Sequence, residues 1–197
     1  YDLVMGGTGA RPVKDGIEAM SAPFNAANIP VEVQEANTPL LVERIELIPD
    51  SGGAGKYRGG LGLRKDVRVF GDQLRLVNLT DRCVYAPFGL FGGEKGKPGR
   101  TLVTRGESDT AVHSKSTTRL AESDVISFQV SGGGGYGVAV ERDAEAVRED
   151  VIKGYVSVEG AAEVYGVVID PSSTMVDQPA TAVRRAAMAG ATASSSI

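Results

Sequence analysis

Hydrophobic and polar positions alternate with period two along much of the middle of the chain. In "LVERIELI", residues 41–48, Ile45 and Leu47 fall on one face and Arg44 and Glu46 on the other. "LRKDVRVF" repeats the alternation through Val67 and Val69, and "QLRLVNL", "RTLVTRG", "DVISFQV" and "YGVAVE" add further short runs bounded by glycine, proline or aspartate. Such runs predict strands dominating residues 41–142. Short strands joined by turns, without intervening helices, predict an antiparallel β-sandwich or barrel-like core.

The pattern changes at Asp143. In "RDAEAVREDVIKGY" that aspartate is placed to cap a helix over 144–153, with Ala146, Val147 and Val151 on one face and Gly154 at its end. A second short helix, 158–165, starts from Ser157 and stops at Gly166, after which "VVID" reads as a closing strand. The fold class is therefore mainly β with short C-terminal helices, an α+β protein. Residues 1–40 are rich in glycine, proline and amides and predict ordered loop, with at most a short helix over Gly16–Ser21. Apolar pieces there, such as "YDLVM", cannot bury both faces by themselves and are expected to pair with chain or subunit outside this sequence. Residues 171–197 are rich in Ser, Ala and Thr: a flexible tail, or one helix around Ala182–Ala189 docked on a partner. That divides the chain into 1–170 and 171–197.

Composition narrows the function classes. The chain has 197 residues, 23% charged and 42% hydrophobic, enough for one well-buried core. A net charge of -4 without a basic run argues against a nucleic-acid surface. No apolar stretch approaches the roughly 20 residues of a membrane-spanning helix. One cysteine, Cys83, excludes an internal disulfide and suits a reducing cytoplasm. One histidine, His113, lies in a polar stretch read as surface loop, too isolated for a zinc site or a nucleophile triad. Any chemistry must then use carboxylates, amides and cations.

Two glycine-rich runs imitate nucleotide motifs. "DSGGAGKYRGGLG", residues 50–62, holds Gly55-Lys56 as in a phosphate loop, but Asp50 stands where the first glycine belongs and Tyr57 where a magnesium-binding hydroxyl belongs. "SGGGGYG" formally contains G-x-G-x-x-G at Gly132, Gly134 and Gly137, yet the residues after it read as strand and no helix opens inside it. Both runs are better read as places where chain segments approach one another's backbone.

The polar candidates concentrate near the N-terminus: Arg11, Asp15, Asn25, Asn28, Glu32 and Glu35. Together they either bind a polar ligand or cation through oxygen atoms, or satisfy loop backbone and pair with Arg11 or Arg58. Lys56, Arg58 and Arg82 are candidates for anion contact.

"GGTGARPVKDG", "NAANIPVEVQE", "DSGGAGKYRGGLG", "DRCVYAPFGLFGG", "SGGGGYG" and "EDVIKGYVSVEGAAEVYGVVI", in this order, resemble the hydantoinase B/oxoprolinase family over residues 1–170. The resemblance implies the C-terminal portion of a B-type subunit of an ATP-dependent cyclic-amide hydrolase, or of a related ATP-dependent ketone carboxylase; a non-catalytic β-rich assembly module is the reading from another class. It implies a hetero-oligomer in which an A-type subunit or domain binds ATP, and a missing segment whose H-x-x-D-x-G-G motif holds a divalent metal. This sequence lacks that motif, so neither metal nor ATP is expected on this chain, which by itself should be catalytically incomplete. In that setting Arg11, Asp15, Asn28, Glu32 and Glu35 are expected to form one substrate-facing polar cluster, with Lys56, Arg58 and Arg82 as weaker anion contacts.

Overall fold

The computed structural model describes residues 2–20 and 26–194. Its elements are α1 Val31–Asn37, β1 Leu40–Leu47, β2 Leu63–Val69, β3 Arg75–Leu79, β4 Arg100–Arg105, β5 Ser108–Val112, β6 Lys115–Arg119, β7 Val125–Gln129, α2 Ala144–Ile152, α3 Val158–Glu163 and α4 Gln178–Ser194. Five strands form an antiparallel sheet in the order β1-β2-β7-β4-β5, and β3 pairs with β6 in a separate two-stranded ladder. Val69, Val103, Leu120 and Ile126 are buried together, with Leu76 of β3 and the preceding Leu74 packed against them. The two ladders thus share an apolar layer, but both stay open. No barrel closes.

On β2 the period-two positions Leu63, Val67 and Val69 are buried, and so is Lys65. The buried ammonium is satisfied by Asp2, at 2.7 Å, and by Gln34 of α1, at 2.9 Å. This contact goes with the first departure from the sequence expectation. "VEVQEAN", read as loop, is helical, and from the helix Gln34 reaches Lys65 while the Glu35 carboxylate accepts the Val42 amide at 2.8 Å. The short helix expected over Gly16–Ser21 does not form among the described residues of that stretch. Strands β5 and β6 were not expected either. Their residues are mostly polar and exposed, and they are strands because β4 and β3 offer them edges. "YGVAVE" is not a strand: Ala139–Glu141 make one 3-10 turn, and α2 begins only at Ala144. A second apolar cluster, Ala54, Val147, Val156, Ala161, Tyr165, Val167 and Ile169, joins α2, α3 and the segment after α3. Helix caps fall as the sequence indicated, with Asp143 accepting from the Ala146 amide at 3.0 Å and Ser157 from the Gly160 amide at 2.9 Å. "VVID" contributes only an isolated bridge, Ile169 to Val176. Helix α4 lies against the body, where Arg185 donates to the carbonyls of Tyr165, at 3.1 Å, and Arg142, at 2.6 Å.

Between the sheet and the helices lies a layer built almost wholly of backbone. Strands β2, β4 and β7 run directly into the glycine-rich segments 50–62, 87–97 and 131–137. The hydrogen bonds of 131–137 repeat every three residues. Gly132 and Gly135 donate to Lys97 and Glu94, at 3.3 and 2.9 Å; Gly133 and Tyr136 donate to Gly60 and Tyr57, at 2.8 and 2.9 Å. The carbonyls of Ser131 and Gly134 accept from Gly7 and Ala10, at 3.2 and 2.9 Å. A three-residue turn is the period of an extended polyproline-II-like chain, which makes no internal hydrogen bonds and so offers its groups in three directions. A flat sheet offers only two. The third neighbour requires that side chains vanish: a Cβ on Gly133 would lie 1.9 Å from the Thr8 carbonyl oxygen, and one on Gly134 1.9 Å from that of Phe88.

Gly133→Ala should therefore lower stability by more than ~3 kcal/mol, the upper end of ordinary overpacking. Gly106→Ala is the control: its φ is +61° but the space around it is open, so only the ~1–2 kcal/mol of a left-handed alanine is expected. Urea midpoints of the two variants check the difference.

Candidate functional site

The glycine layer carries a buried ionic network on its helical side. Arg58, in segment 50–62, is almost fully enclosed. It donates through Nε to Asp150 at 3.3 Å, through Nη2 to Glu18 at 3.0 Å and through Nη1 to its neighbour's carbonyl, Gly59, at 2.7 Å. Its guanidinium carbon also stands 5.0 Å above the Tyr155 ring, a cation–π arrangement. Arg142, just before the Asp143 cap, grips both oxygens of Asp15, at 2.7 and 2.8 Å, and shares Asp150 at 2.7 Å. Asp150 is buried because α2 turns Val147 and Asp150, three residues apart, toward the same side. Among the described residues Arg142 Nε finds no hydrogen-bond partner.

Burial alone would raise the Asp15 carboxyl, but the Arg142 hydrogen bond and charge, with the Arg58 amide at 2.7 Å, hold it below the usual carboxylate range. Burial likewise opposes the charge on Arg142, yet Asp15 and Asp150 outweigh it and keep the cation. Burial pushes the Tyr165 hydroxyl up, so this phenol stays neutral beside the network.

Beside the network opens a cleft of about 700 Å³, whose lining includes Lys14, Asp15, Lys56, Tyr57, Glu141 and Arg142. Lys56 is half exposed there, its Nζ 3.9 Å from Glu141 Oε2. A pair this long and wet contributes little to stability. The ammonium is therefore available to an anion entering the cleft, whereas Arg58 is committed to carboxylates.

The structure thus brings together Asp15, Lys56 and Arg58, which the sequence placed in two separate groups. It does not bring together the expected N-terminal cluster. Arg11 is exposed in a turn where its backbone pairs with Lys14, at 2.9 and 3.2 Å. Glu35 is spent on the Val42 amide, and Asn28 and Glu32 are exposed on the chain leading into and forming α1. Asn25 lies outside the described residues. Arg82 is exposed at φ +58°, bordering a different cleft of about 520 Å³ with Cys83 and Lys115. Sequence reasoning missed Arg142, Asp150 and Glu18. The signal for Asp150 was present as a carboxylate three residues after Val147 on the helix's apolar side; Arg142 and Glu18 carried none.

The glycine runs are engaged with chain. The amides of Gly53, Lys56, Tyr57, Gly59 and Gly60 all donate to backbone carbonyls, and that of Gly62 to the Ser51 hydroxyl, so these amides are not free to cradle a phosphate. In "SGGGGYG" the amides of Gly132, Gly133 and Gly135 are equally engaged. A divalent cation does not fit the donor set either. Among the described residues no three His, Cys, Asp or Glu side chains converge, and Asp15 and Asp150 already face arginines.

The family model for hydantoinase B/oxoprolinase matches residues 1–139. The chain belongs to the hydantoinase B/oxoprolinase family. It is 34% identical over 193 residues to the beta subunit of a caprolactamase from Pseudomonas jessenii, covering 93% of this chain and 33% of that protein. It is 30% identical to the delta subunit of acetophenone carboxylase from Aromatoleum aromaticum, covering 95% and 32%. The crystal structure of an ATP-dependent caprolactamase from Pseudomonas jessenii superposes with a TM-score of 0.78 at 27% identity, covering 93% of this chain and 33% of that one. This hydantoinase B-family chain spans 25 to 33% of the length of relatives it matches, and corresponds to the C-terminal part of such subunits. Among the described residues no helix is long and apolar enough to cross a membrane.

Asp150→Ala should cost about 3–5 kcal/mol, because two enclosed guanidinium groups lose their shared partner. Lys56→Ala should change the urea midpoint by less than ~0.5 kcal/mol equivalent. Because the folded Asp15 value lies below the unfolded one, its stabilisation is complete above about pH 4 and is lost as pH falls through the folded value. Asp15→Asn should flatten the acid limb of stability against pH, read from denaturation midpoints across that range.

Proposed function

We propose that the chain works as the C-terminal part of a B-type subunit in an ATP-dependent cyclic-amide hydrolase, lining the active site without supplying its metal or nucleotide. The observation that carries this reading is the similarity to the beta subunit of a caprolactamase over 93% of the chain. A lactam amide is resonance-stabilised, and ATP-dependent activation of its oxygen makes ring opening accessible. The step then needs fixed positive groups where negative charge develops. In this chain Lys56 presents such a group. Asp15 and Arg142 fix the cleft wall beside it, and the turn at Arg11 carries Lys14 to its edge.

The glycine layer suits that task through rigidity. Its backbone groups are paired with one another, so the groups it holds need not reorganise during reaction. The remaining substrate-facing positions, Asn28, Glu32, Glu35 and Arg82, fall at other surfaces, and the proposal rests least on them. The reading assigns metal and ATP to the rest of the B-type polypeptide and to an A-type subunit, in a hetero-oligomer of the cytoplasm. Similarity to the delta subunit of acetophenone carboxylase over 95% of the chain favours one alternative, ATP-dependent ketone carboxylation in the same cleft.

In the assembled A- and B-type protein, Lys56→Ala should lower ATP-dependent cyclic-amide turnover about 10²-fold, the effect of removing one charge-stabilising group, with assembly and melting unchanged. Turnover of a ketone with bicarbonate, and none of caprolactam or hydantoin, would replace the hydrolase reading with the carboxylase one. Unchanged turnover of any substrate would remove Lys56 from the site.

A further inference from the structure

Residues 83–93, "CVYAPFGLFGG", and residues 125–140, "VISFQVSGGGGYGVAV", contain no charged residue. Parts of both come to the surface at one end of the glycine layer. Phe88 is 68% exposed, Phe91 76%, and Leu90 and Val138 nearly half. Leu90, Phe91 and Val138 meet around Tyr136, and Phe88 stands three residues before Phe91 on the same loop. The Phe91 ring lies 5.1 Å from that of Tyr136, the Leu90 carbonyl accepts the Gly137 amide at 2.9 Å, and a Cβ on Gly92 would lie 3.0 Å from a Val138 methyl.

This exposure is built into the backbone. Leu90 donates to Gly135 and accepts from Gly137, and the Glu94 carbonyl accepts from Gly135, each at 2.9 Å, so the loop is fastened to the central glycine segment on both sides of Phe91. Phe91 itself is held at φ +51°, a left-handed conformation that costs a bulky aromatic residue about 1–3 kcal/mol. A chain that strains a phenylalanine to point it at water, on a fixed platform, presents it to something else. Contiguous apolar surface of this kind marks an interaction site. The patch adjoins the cleft, because Tyr136 pairs with Tyr57, which lines it.

We propose that this patch is the seat of the remaining B-type polypeptide, the segment by which the relatives exceed this chain. The assignment rests on the B-type reading above. Its occupant follows from length: the chain covers 93% of itself but only 33% of the caprolactamase beta subunit. A remainder of that size needs an exposed apolar surface on which to seat, and covering Phe88 and Phe91 would bring it to the rim of the Lys56 cleft. An interface core of desolvated aromatics ringed by polar groups is the usual anchor of such contacts.

The test joins this chain, in place of the matched segment, to the rest of the Pseudomonas jessenii caprolactamase beta subunit. Hydroxyl-radical oxidation of Phe88 and Phe91 is then compared in the chimera and in the free chain. Oxidation of both rings should fall about tenfold on entering an interface core, while exposed Met175 keeps its rate. The double variant Phe88→Ser, Phe91→Asn should not lower the free chain's melting, since asparagine tolerates the left-handed backbone that strains phenylalanine. The same variant should make this chain melt as a separate unit in the chimera. Equal oxidation rates in a chimera that melts as one unit would overturn the assignment while leaving the B-type reading intact. A wild-type chimera that melts as two independent units, with both rings unprotected, would overturn both. A free-chain dimer abolished by the double variant would overturn the assignment in favour of a second copy.

Discussion

The three-residue period of hydrogen bonding along 131–137 is the constraint on which the rest of the molecule depends. A strand in a sheet has two neighbours; this segment has at least three, because successive residues face different directions and none of the four central ones carries a side chain. The same chain that pairs conventionally as β7 becomes, a few residues later, the axis of a backbone bundle. Strands β2 and β4 keep their places beside it through the transition. Sheet order and bundle order are one decision, made by where the side chains stop.

That layer also explains how a loop-rich chain holds charged groups inside. The segment 50–62 is fixed by its neighbours, so Arg58 enters the helical side at a set position, where Asp150, Glu18 and Tyr155 meet it. Arg142 then ties Asp15 to α2 across 127 positions of sequence. An enclosed pair of this kind adds little net stability over apolar packing, but loses much when one partner goes. Its value here is positional: it sets the wall of a cleft in which Lys56 stays uncommitted. The uncharged rim around Phe91 grows from the same platform, which relates the cleft to the surface beside it.

Strands β1–β4 and β7, both short helices and their Asp143 and Ser157 caps were legible because local alternation, helical spacing and capping chemistry act over a few residues. Helix α1 was not; its contact with Lys65, about thirty positions away, leaves no trace in the local pattern. Strands β5 and β6 were not, since their polar sequences are strands only beside β4 and β3. In the site, Asp15, Lys56 and Arg58 were singled out by residue type, while Arg142, Asp150 and Glu18 were found only through the contacts they make.

By itself the sequence determined the class of fold, the family, the absence of a phosphate-loop pattern and the role of the glycine runs as places of close backbone approach. Each follows from residue identity at short range: a glycine has no Cβ, an alternating run has one wet face, a tyrosine cannot replace a magnesium-binding hydroxyl. Only the tertiary structure decided that three segments far apart in the chain share one three-residue repeat. It also decided that Arg58 is spent on Asp150 while Lys56, two residues earlier, faces a cleft. Those outcomes depend on which carbonyl or carboxylate arrives from a distant segment, and no local pattern encodes the arrival.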